Sequence, residues 1–208
     1  MDIEYIMPDQ IENRSFEILT DELKSMGIEL TGDTAPVIKR CIHTSADFDY
    51  AKTLKFSKDA VSILKELFKK KTCIVTDTNM ALAGINKAKL SKYGIEAKCF
   101  MADDDVAIKA KERHVTRASV SMEKAMQMSD EIIFVIGNAP TALITLNEAY
   151  KKGIYKPAFI IGVPVGFVNV EAAKELILNS DITYIVNKGR KGGSNIAAAI
   201  CNAVLNME

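Results

Sequence analysis

Histidine and cysteine are scarce in this sequence. Among 208 residues there are two histidines, His43 and His114, and four cysteines. The cysteines are Cys41, Cys73, Cys99 and Cys201. They are widely spaced and lack the paired arrangement that zinc ribbons and redox dithiols require. We therefore expect no metal site and four reduced, mostly buried thiols.

The sequence also lacks an excess of charge of either sign, since 27 basic residues balance 27 acidic ones. No net field draws the protein toward nucleic acid or an anionic membrane. No apolar run reaches the ~20 residues that a membrane span needs. Residues 1–8 lack the basic start and apolar run of a signal peptide. We expect a soluble cytoplasmic protein with no nucleic-acid partner.

Repeats, low-complexity tracts and Ser/Pro-rich linkers are absent too, so residues 1–208 are expected to form a single domain. From about residue 50, short β-branched runs alternate with longer amphipathic stretches. Predicted strands are 72–76, 97–100, 131–136, 158–163 and 182–186, with a weaker candidate at 54–57. Predicted helices are 9–26, 35–44, 58–70, 80–92, 119–128, 139–152, 170–179 and 194–205. This alternation predicts a three-layer α/β/α fold with a mostly parallel, doubly wound sheet, preceded by two N-terminal helices.

Three glycine-bearing loops, 137–141, 162–167 and 189–194, each follow a predicted strand and lead into a helix. The carboxyl ends of parallel strands share one edge, where such folds bind ligands. Glycine allows close backbone approach, and helix N-termini attract anions. Asn138, Arg190 and Lys191 are therefore candidate contacts to an anionic ligand; the alternative is that the glycines and prolines only make the turns. The glycine fingerprints of nucleotide-binding loops are absent.

His43 and Arg40 are three residues apart on the predicted helix 35–44 and would share a face. A guanidinium there can hold an anionic group while an imidazole, whose pKa lies near neutrality, transfers a proton. Arg117 can add positive charge. On sequence alone, a structural or solvated role for a lone histidine stays open beside the catalytic one.

Five stretches together resemble a known family, the precorrin-8X methylmutases and their counterparts that act on cobalt-precorrin-8. The stretches are 11–16, 37–43, 136–143, 161–167 and 189–194. They occur in the family's order, and the resemblance covers nearly the whole chain.

The resemblance implies an isomerase of cobalamin biosynthesis that shifts a methyl group between neighbouring ring-C carbons of a tetrapyrrole, giving hydrogenobyrinate or its cobalt form. It implies His43 as the proton donor or acceptor, and Ser15 and Arg40 as substrate contacts. No cofactor is consumed, any cobalt being carried by the substrate, and the protein is expected to be a homodimer. Val163, Val165 and Phe167 are candidate apolar walls for the ring.

Two questions stay open at this level. No residue decides between a metal-free and a cobalt-bearing substrate. A non-catalytic corrinoid carrier, which would hold the product for the next enzyme, needs Arg40 and the loops but not His43. A nucleotide-binding protein of similar architecture is disfavoured by the missing phosphate motifs.

Overall fold

Residues 3–70, 72–128 and 131–207 are described by a computed structural model. The first two residues of segment 1–8, for which no signal peptide is predicted, lie outside these ranges. The helices are α1 (Ile11–Ser25), α2 (Ala35–Ser45), α3 (Tyr50–Thr53), α4 (Ala60–Lys69), α5 (Asn79–Gly84), α6 (Lys87–Tyr93), α7 (Asp104–Glu112), α8 (Arg117–Ala125), α9 (Pro140–Lys151), α10 (Val170–Leu178) and α11 (Ser194–Leu205). The strands are β1 (Leu54–Phe56), β2 (Thr72–Thr76), β3 (Glu96–Lys98), β4 (Glu131–Ile136), β5 (Phe159–Gly162) and β6 (Tyr184–Asn187).

The six strands form one sheet in the order β1-β6-β5-β4-β2-β3. All neighbouring pairs are parallel except β1 with β6, which are antiparallel at one edge. The predicted α/β class and mostly parallel sheet are therefore confirmed, and each predicted strand is present with ends shifted by at most two residues.

Helices cover both faces of the sheet because its central strands are apolar throughout. Along β4, Ile133 and Val135 face a core shared with α1, α2, α4 and α11. The alternate residues Ile132, Phe134 and Ile136 face a second core, formed with α8, α9 and α10. This period-two alternation is why a doubly covered strand reads as one continuous apolar run. None of the helices in the described ranges is both long and apolar enough to cross a membrane.

The predicted helix 80–92 is wrong, because the chain breaks there into α5 and α6. Ile85 and Asn86 are extended, and the Asn86 side chain caps α6 by accepting from the Lys89 amide at 3.1 Å. Asn202 of α11 stabilises the break by donating to the Gly84 carbonyl at 2.8 Å and accepting from the Asn86 amide at 2.8 Å. The helical spacing of apolar residues continues through the break, so periodicity alone did not reveal it.

The strand order reverses at β2, the second strand from one edge, since β3 lies on one side of β2 and β4 on the other. In open α/β sheets, ligands bind outside the carboxyl ends of the strands near such a reversal. A ligand site is therefore expected at the segments that follow β2, β4, β5 and β6.

Candidate active site

The outer surface of α2 carries His43 and Arg40. Pro36 stands in the first turn of this helix, where its missing N–H costs nothing. The buried stripe consists of Ala35, Val37, Ile38, Cys41 and Ile42. His43 is exposed in the last turn, and its imidazole stacks on Phe16 of α1, with 5.1 Å between ring centroids and 19° between ring planes. The Arg40 guanidinium carbon lies 4.8 Å from the centroid of the same ring. Phe16 thus holds both side chains on one surface.

The neighbouring positions of α1 add two polar groups. Ser15 precedes Phe16 in the chain, and its hydroxyl donates to the Ile11 carbonyl at 2.9 Å. Glu12 accepts a hydrogen bond from Arg40 at 2.5 Å between Oε1 and Nη2. A substrate carboxylate at Arg40 would therefore compete with Glu12. Neither Glu12 nor Phe16 carried a chemical signal in the sequence, because both fit an ordinary amphipathic helix.

The three glycine-bearing loops meet at the carboxyl edge of the sheet. The Val163 amide donates to the Ile136 carbonyl at 2.8 Å, and the Gly193 amide donates to the Val163 carbonyl at 2.9 Å. The Gly166 amide donates to the Arg190 carbonyl at 3.2 Å. The predicted clustering of these loops is therefore correct, and direct backbone hydrogen bonds join them.

Glycine is required at two positions of this cluster by close backbone approach. A Cβ atom at Gly192 would lie 2.0 Å from the Val163 carbonyl oxygen, far inside contact distance. A Cβ atom at Gly137 would lie 2.7 Å from the Cα of Ser194. Because the loops pack this tightly, the fold itself requires these glycines, whether or not the loops bind a ligand.

Asp77, which follows β2 at the strand reversal, organises the loop after β4. Its buried carboxylate accepts hydrogen bonds from the amides of Gly137, Asn138 and Ala139 at 2.9, 2.8 and 2.6 Å. Burial raises the pKa of this carboxyl, and the three backbone hydrogen bonds oppose that rise. The amides at the start of α9 therefore already bind an anion of the protein itself. The start of α9 was expected to attract an anionic ligand, and no signal in the sequence indicated that Asp77 binds there.

Lys191 connects the loop after β6 to the segment that follows α2. Its ammonium nitrogen lies 2.6 Å from Asp47 Oδ2 and 2.5 Å from Asp49 Oδ2. These two carboxylates hold the pKa of Lys191 well above its usual value. Asp47 is four residues beyond His43, so this ion pair brings the end of α2 to the carboxyl edge of the sheet.

Apolar side chains project from the loop after β5. Phe167 is 81% exposed and Val168 is 78% exposed, and the Arg190 guanidinium carbon lies 5.5 Å from the centroid of the Phe167 ring. Arg190 also pairs with Glu171 at 3.0 Å. Val165 is exposed as well, whereas Val163 is fully buried. Val163, suggested above as a wall for the ring, instead packs inside the protein.

Arg117 and Asn138 lie at the same edge but apart from His43. Arg117 is the exposed first residue of α8, beside Thr116, whose hydroxyl is 2.8 Å from that of Thr141 at the start of α9. Both helices cover the sheet face opposite to α1 and α2. Asn138 is exposed at the loop before α9. Among the residues that the structure describes, no hydrogen bond, ion pair or ring contact joins either of these two residues to His43.

Within residues 3–70, 72–128 and 131–207, no cluster of three or more His, Cys, Asp or Glu residues is placed to hold a metal ion. Asp103 and Asp105 instead pair with Lys124, at 2.7 and 2.6 Å. The four cysteines are thiols that form no disulfide, and three of them are buried, as expected. Burial raises the pKa of Cys41 and of Cys201 to about 12. These two remain protonated and unreactive at neutral pH.

An exposed histidine beside cationic groups, at the loop-bearing edge of an open sheet, is the arrangement of an α/β enzyme that binds an anionic ligand. Residues 10–207 match the family model described as precorrin-8X methylmutase. The chain belongs to this family, and it is a methylmutase, an isomerase of cobalamin biosynthesis.

Individual relatives agree with this assignment over nearly their whole lengths. The cobalt-precorrin-8 methylmutase of Priestia megaterium is 40% identical over 199 residues, which cover 96% of this chain and 88% of the relative. That of Leptospira interrogans is 41% identical over 203 residues, covering 94% and 91%. The crystal structure of precorrin-8x methyl mutase from Thermus thermophilus superimposes with a TM-score of 0.84 at 33% identity, covering 94% of this chain and 96% of that one.

Proposed function

We propose that this protein acts in the cytoplasm on cobalt-precorrin-8, moving a methyl group between neighbouring ring-C carbons to give the cobalt form of hydrogenobyrinate. The relatives at 39–41% identity are named cobalt-precorrin-8 methylmutases. Relatives named precorrin-8X methylmutases are 33% and 30% identical, and further cobalt-precorrin-8 methylmutases are 33–35% identical. Since the relatives at 39–41% identity all carry the cobalt name, they favour the cobalt-bearing substrate. The reaction is an isomerisation, so it consumes no cofactor, and cobalt enters and leaves with the ring.

The observation that carries the mechanism is the stacking of His43 on Phe16 beside Arg40. His43 is exposed, so a bound ring can reach its imidazole, and stacking fixes the plane of that imidazole. As the methyl group leaves one ring carbon and bonds to the next, His43 is the proton donor or acceptor for the rearranging ring.

Cationic, hydroxyl and amide side chains around this surface are proposed to bind the carboxylates of the ring's side chains. Arg40 and Ser15 serve this role beside His43, and Arg190, Lys191 and Asn138 serve it at the loops. Each of these arginine and lysine side chains forms an ion pair with a carboxylate of the protein. The ion pair orients the cationic group, and a substrate carboxylate can then replace the protein's own carboxylate. Phe167 and Val165 are apolar neighbours suited to the flat ring.

We propose further that the protein is a homodimer with the substrate at the subunit boundary. The cavity beside Phe16 and Arg40 has a volume of about 410 Å³. This is near the lower end of the ~300–1,000 Å³ of ordinary ligand sites, whereas a macrocycle is a large ligand. His43 is open to solvent, and Arg117 lies on the other side of the sheet. A second copy would close the site and can bring Arg117 to it. Light scattering is expected to give twice the chain mass at micromolar concentration; a monomer would contradict the proposal.

The function is tested by incubating the purified protein separately with cobalt-precorrin-8 and with precorrin-8X and following the absorption spectrum. We expect the chromophore to change with both rings and faster with the cobalt form. Faster change with the metal-free ring would reverse the substrate assignment. Binding without any spectral change would favour a corrinoid carrier instead.

Replacing Arg40 with alanine is expected to weaken binding of the corrinoid product roughly ten- to a hundredfold, because a hydrogen bond to a charged group contributes ~1.5–3 kcal/mol. The rate at saturating substrate should change less. Spectroscopic titration at low and moderate salt measures the dissociation constant. Glu12→Gln is the matched control, since it frees Arg40 and should preserve or strengthen binding. Wild-type affinity in Arg40→Ala would remove Arg40 from the carboxylate contacts.

A further inference from the structure

Lys174, in the middle of α10, is completely buried. Its ammonium nitrogen donates to two carbonyl oxygens of the loop after β6, those of Gly189 at 2.7 Å and of Lys191 at 2.8 Å. Burying a lysine is costly unless its charge is compensated by hydrogen bonds. The burial also lowers the pKa of Lys174 to about 8. A hydrophobic residue would fill this position at less cost, so the lysine needs an explanation.

The same loop is also held by a second set of polar side chains, those of Asn187 and Thr53. Asn187 donates from its Nδ2 to the Lys191 carbonyl at 2.9 Å, and its Oδ1 accepts from the Thr53 hydroxyl at 2.7 Å. The Arg190 carbonyl accepts from the Gly166 amide at 3.2 Å. Three consecutive carbonyl groups of the loop are thus bound by groups of the protein.

In a trans peptide unit, a carbonyl and the N–H of the next residue point in opposite directions. Since the carbonyls of Gly189 and Lys191 point inward at Lys174, the N–H groups of Arg190 and Gly192 point outward. Among the residues that the structure describes, neither of these N–H groups has a hydrogen-bond partner, whereas the neighbouring Gly193 amide binds Val163. Both N–H groups therefore point away from Lys174, and each is open to an acceptor such as a carboxylate oxygen.

We propose that Lys174 is a positioning residue that fixes this loop so that its Arg190 and Gly192 amides are presented to the carboxylates of the ring's side chains. The inference rests on the proposed function, which supplies the carboxylate. The Arg190 guanidinium, which contacts the exposed Phe167 ring and pairs with Glu171, belongs to the same loop and adds positive charge there. Lys174 acts only through the loop and touches no substrate.

The test compares Lys174→Met with the wild type. Methionine is unbranched and apolar, so it fills the space but leaves the Gly189 carbonyl unbound and the loop free to turn. The dissociation constant of the corrinoid product and KM are expected to rise about tenfold or more, while kcat changes less than about threefold. Lys188→Met, which removes an exposed charge near the same loop, is the matched control and should bind as the wild type does.

A direct readout is the amide spectrum of the loop by nuclear magnetic resonance. Titration of the wild type with product should shift the Arg190 and Gly192 amide protons, and Lys174→Met should abolish those shifts. Lys174→Gln, which keeps one donor, should restore part of the affinity, and it replaces the methionine variant if that variant does not fold.

The outcomes separate the two proposals. A wild type that binds no corrinoid overturns the proposed function and this inference with it. A wild type that binds, together with equal affinity in Lys174→Met or unmoved Arg190 and Gly192 signals, overturns only the role of Lys174.

Discussion

Replacing His43 with alanine is expected to lower kcat for the methyl shift roughly 10²- to 10⁴-fold, the usual contribution of general acid–base catalysis. Affinity for the ring should change little, because Arg40 and the loops are proposed to supply the carboxylate contacts. His43 is exposed and contributes little to the core, so the variant should fold normally. Stopped-flow absorption with the ring at saturation measures the effect on chemistry apart from binding.

Alanine also removes the stacking on Phe16, and a second variant separates that loss from the loss of proton transfer. His43→Phe keeps an aromatic ring against Phe16 but has no titratable nitrogen. Both variants should be slow if proton transfer is the function of His43. A fast phenylalanine variant would assign His43 a packing role, and near-normal turnover in both would remove it from the mechanism.

Replacing Asp77 with alanine is expected to lower the free energy of unfolding by about 2–5 kcal/mol. The change leaves the amides of Gly137, Asn138 and Ala139 without their acceptor, and a buried polar group that loses its partner costs ~1–3 kcal/mol. Urea unfolding followed by circular dichroism measures the loss.

Asparagine at position 77 is the matched control, because it keeps the shape and one acceptor oxygen. If the asparagine oxygen occupies the position of Asp77 Oδ2, it should accept hydrogen bonds from the Asn138 and Ala139 amides. The Asp77→Asn variant should therefore lose less stability than Asp77→Ala. Stability within about 1 kcal/mol of wild type in Asp77→Ala would show that the carboxylate does not hold this loop.

The sequence predicted those features that depend on patterns within one segment. β4 was found with its observed ends because its apolar, β-branched run is bounded by polar residues, and α11 was found because its apolar spacing is uninterrupted. The loop cluster followed from a general property of parallel sheets, that their carboxyl ends share an edge.

The sequence did not reveal the side chains that hold this edge together. Asp77 binds backbone amides 60–62 residues away, and Lys174 binds backbone carbonyls 15 and 17 residues away. Because every residue type carries the same backbone carbonyl, and every one but proline the same amide, the sequence gives no sign of such partners. In its own segment, Lys174 looks like an ordinary charged residue of an amphipathic helix. Phe16 was likewise hidden, because its role depends on how α1 lies against α2.

If His43 and Arg40 act as proposed, the Phe16 side chain also affects the entropy of catalysis. Arg40 and His43 both rest against it in the free protein, so their rotamers are restricted before any substrate arrives. Fixing a mobile arginine costs up to about 2 kcal/mol of side-chain entropy. Because this entropy is already lost in the folded chain, substrate binding does not have to supply it. More of the interaction energy between the protein and the macrocycle is then available as affinity, and the imidazole is already oriented for the reaction.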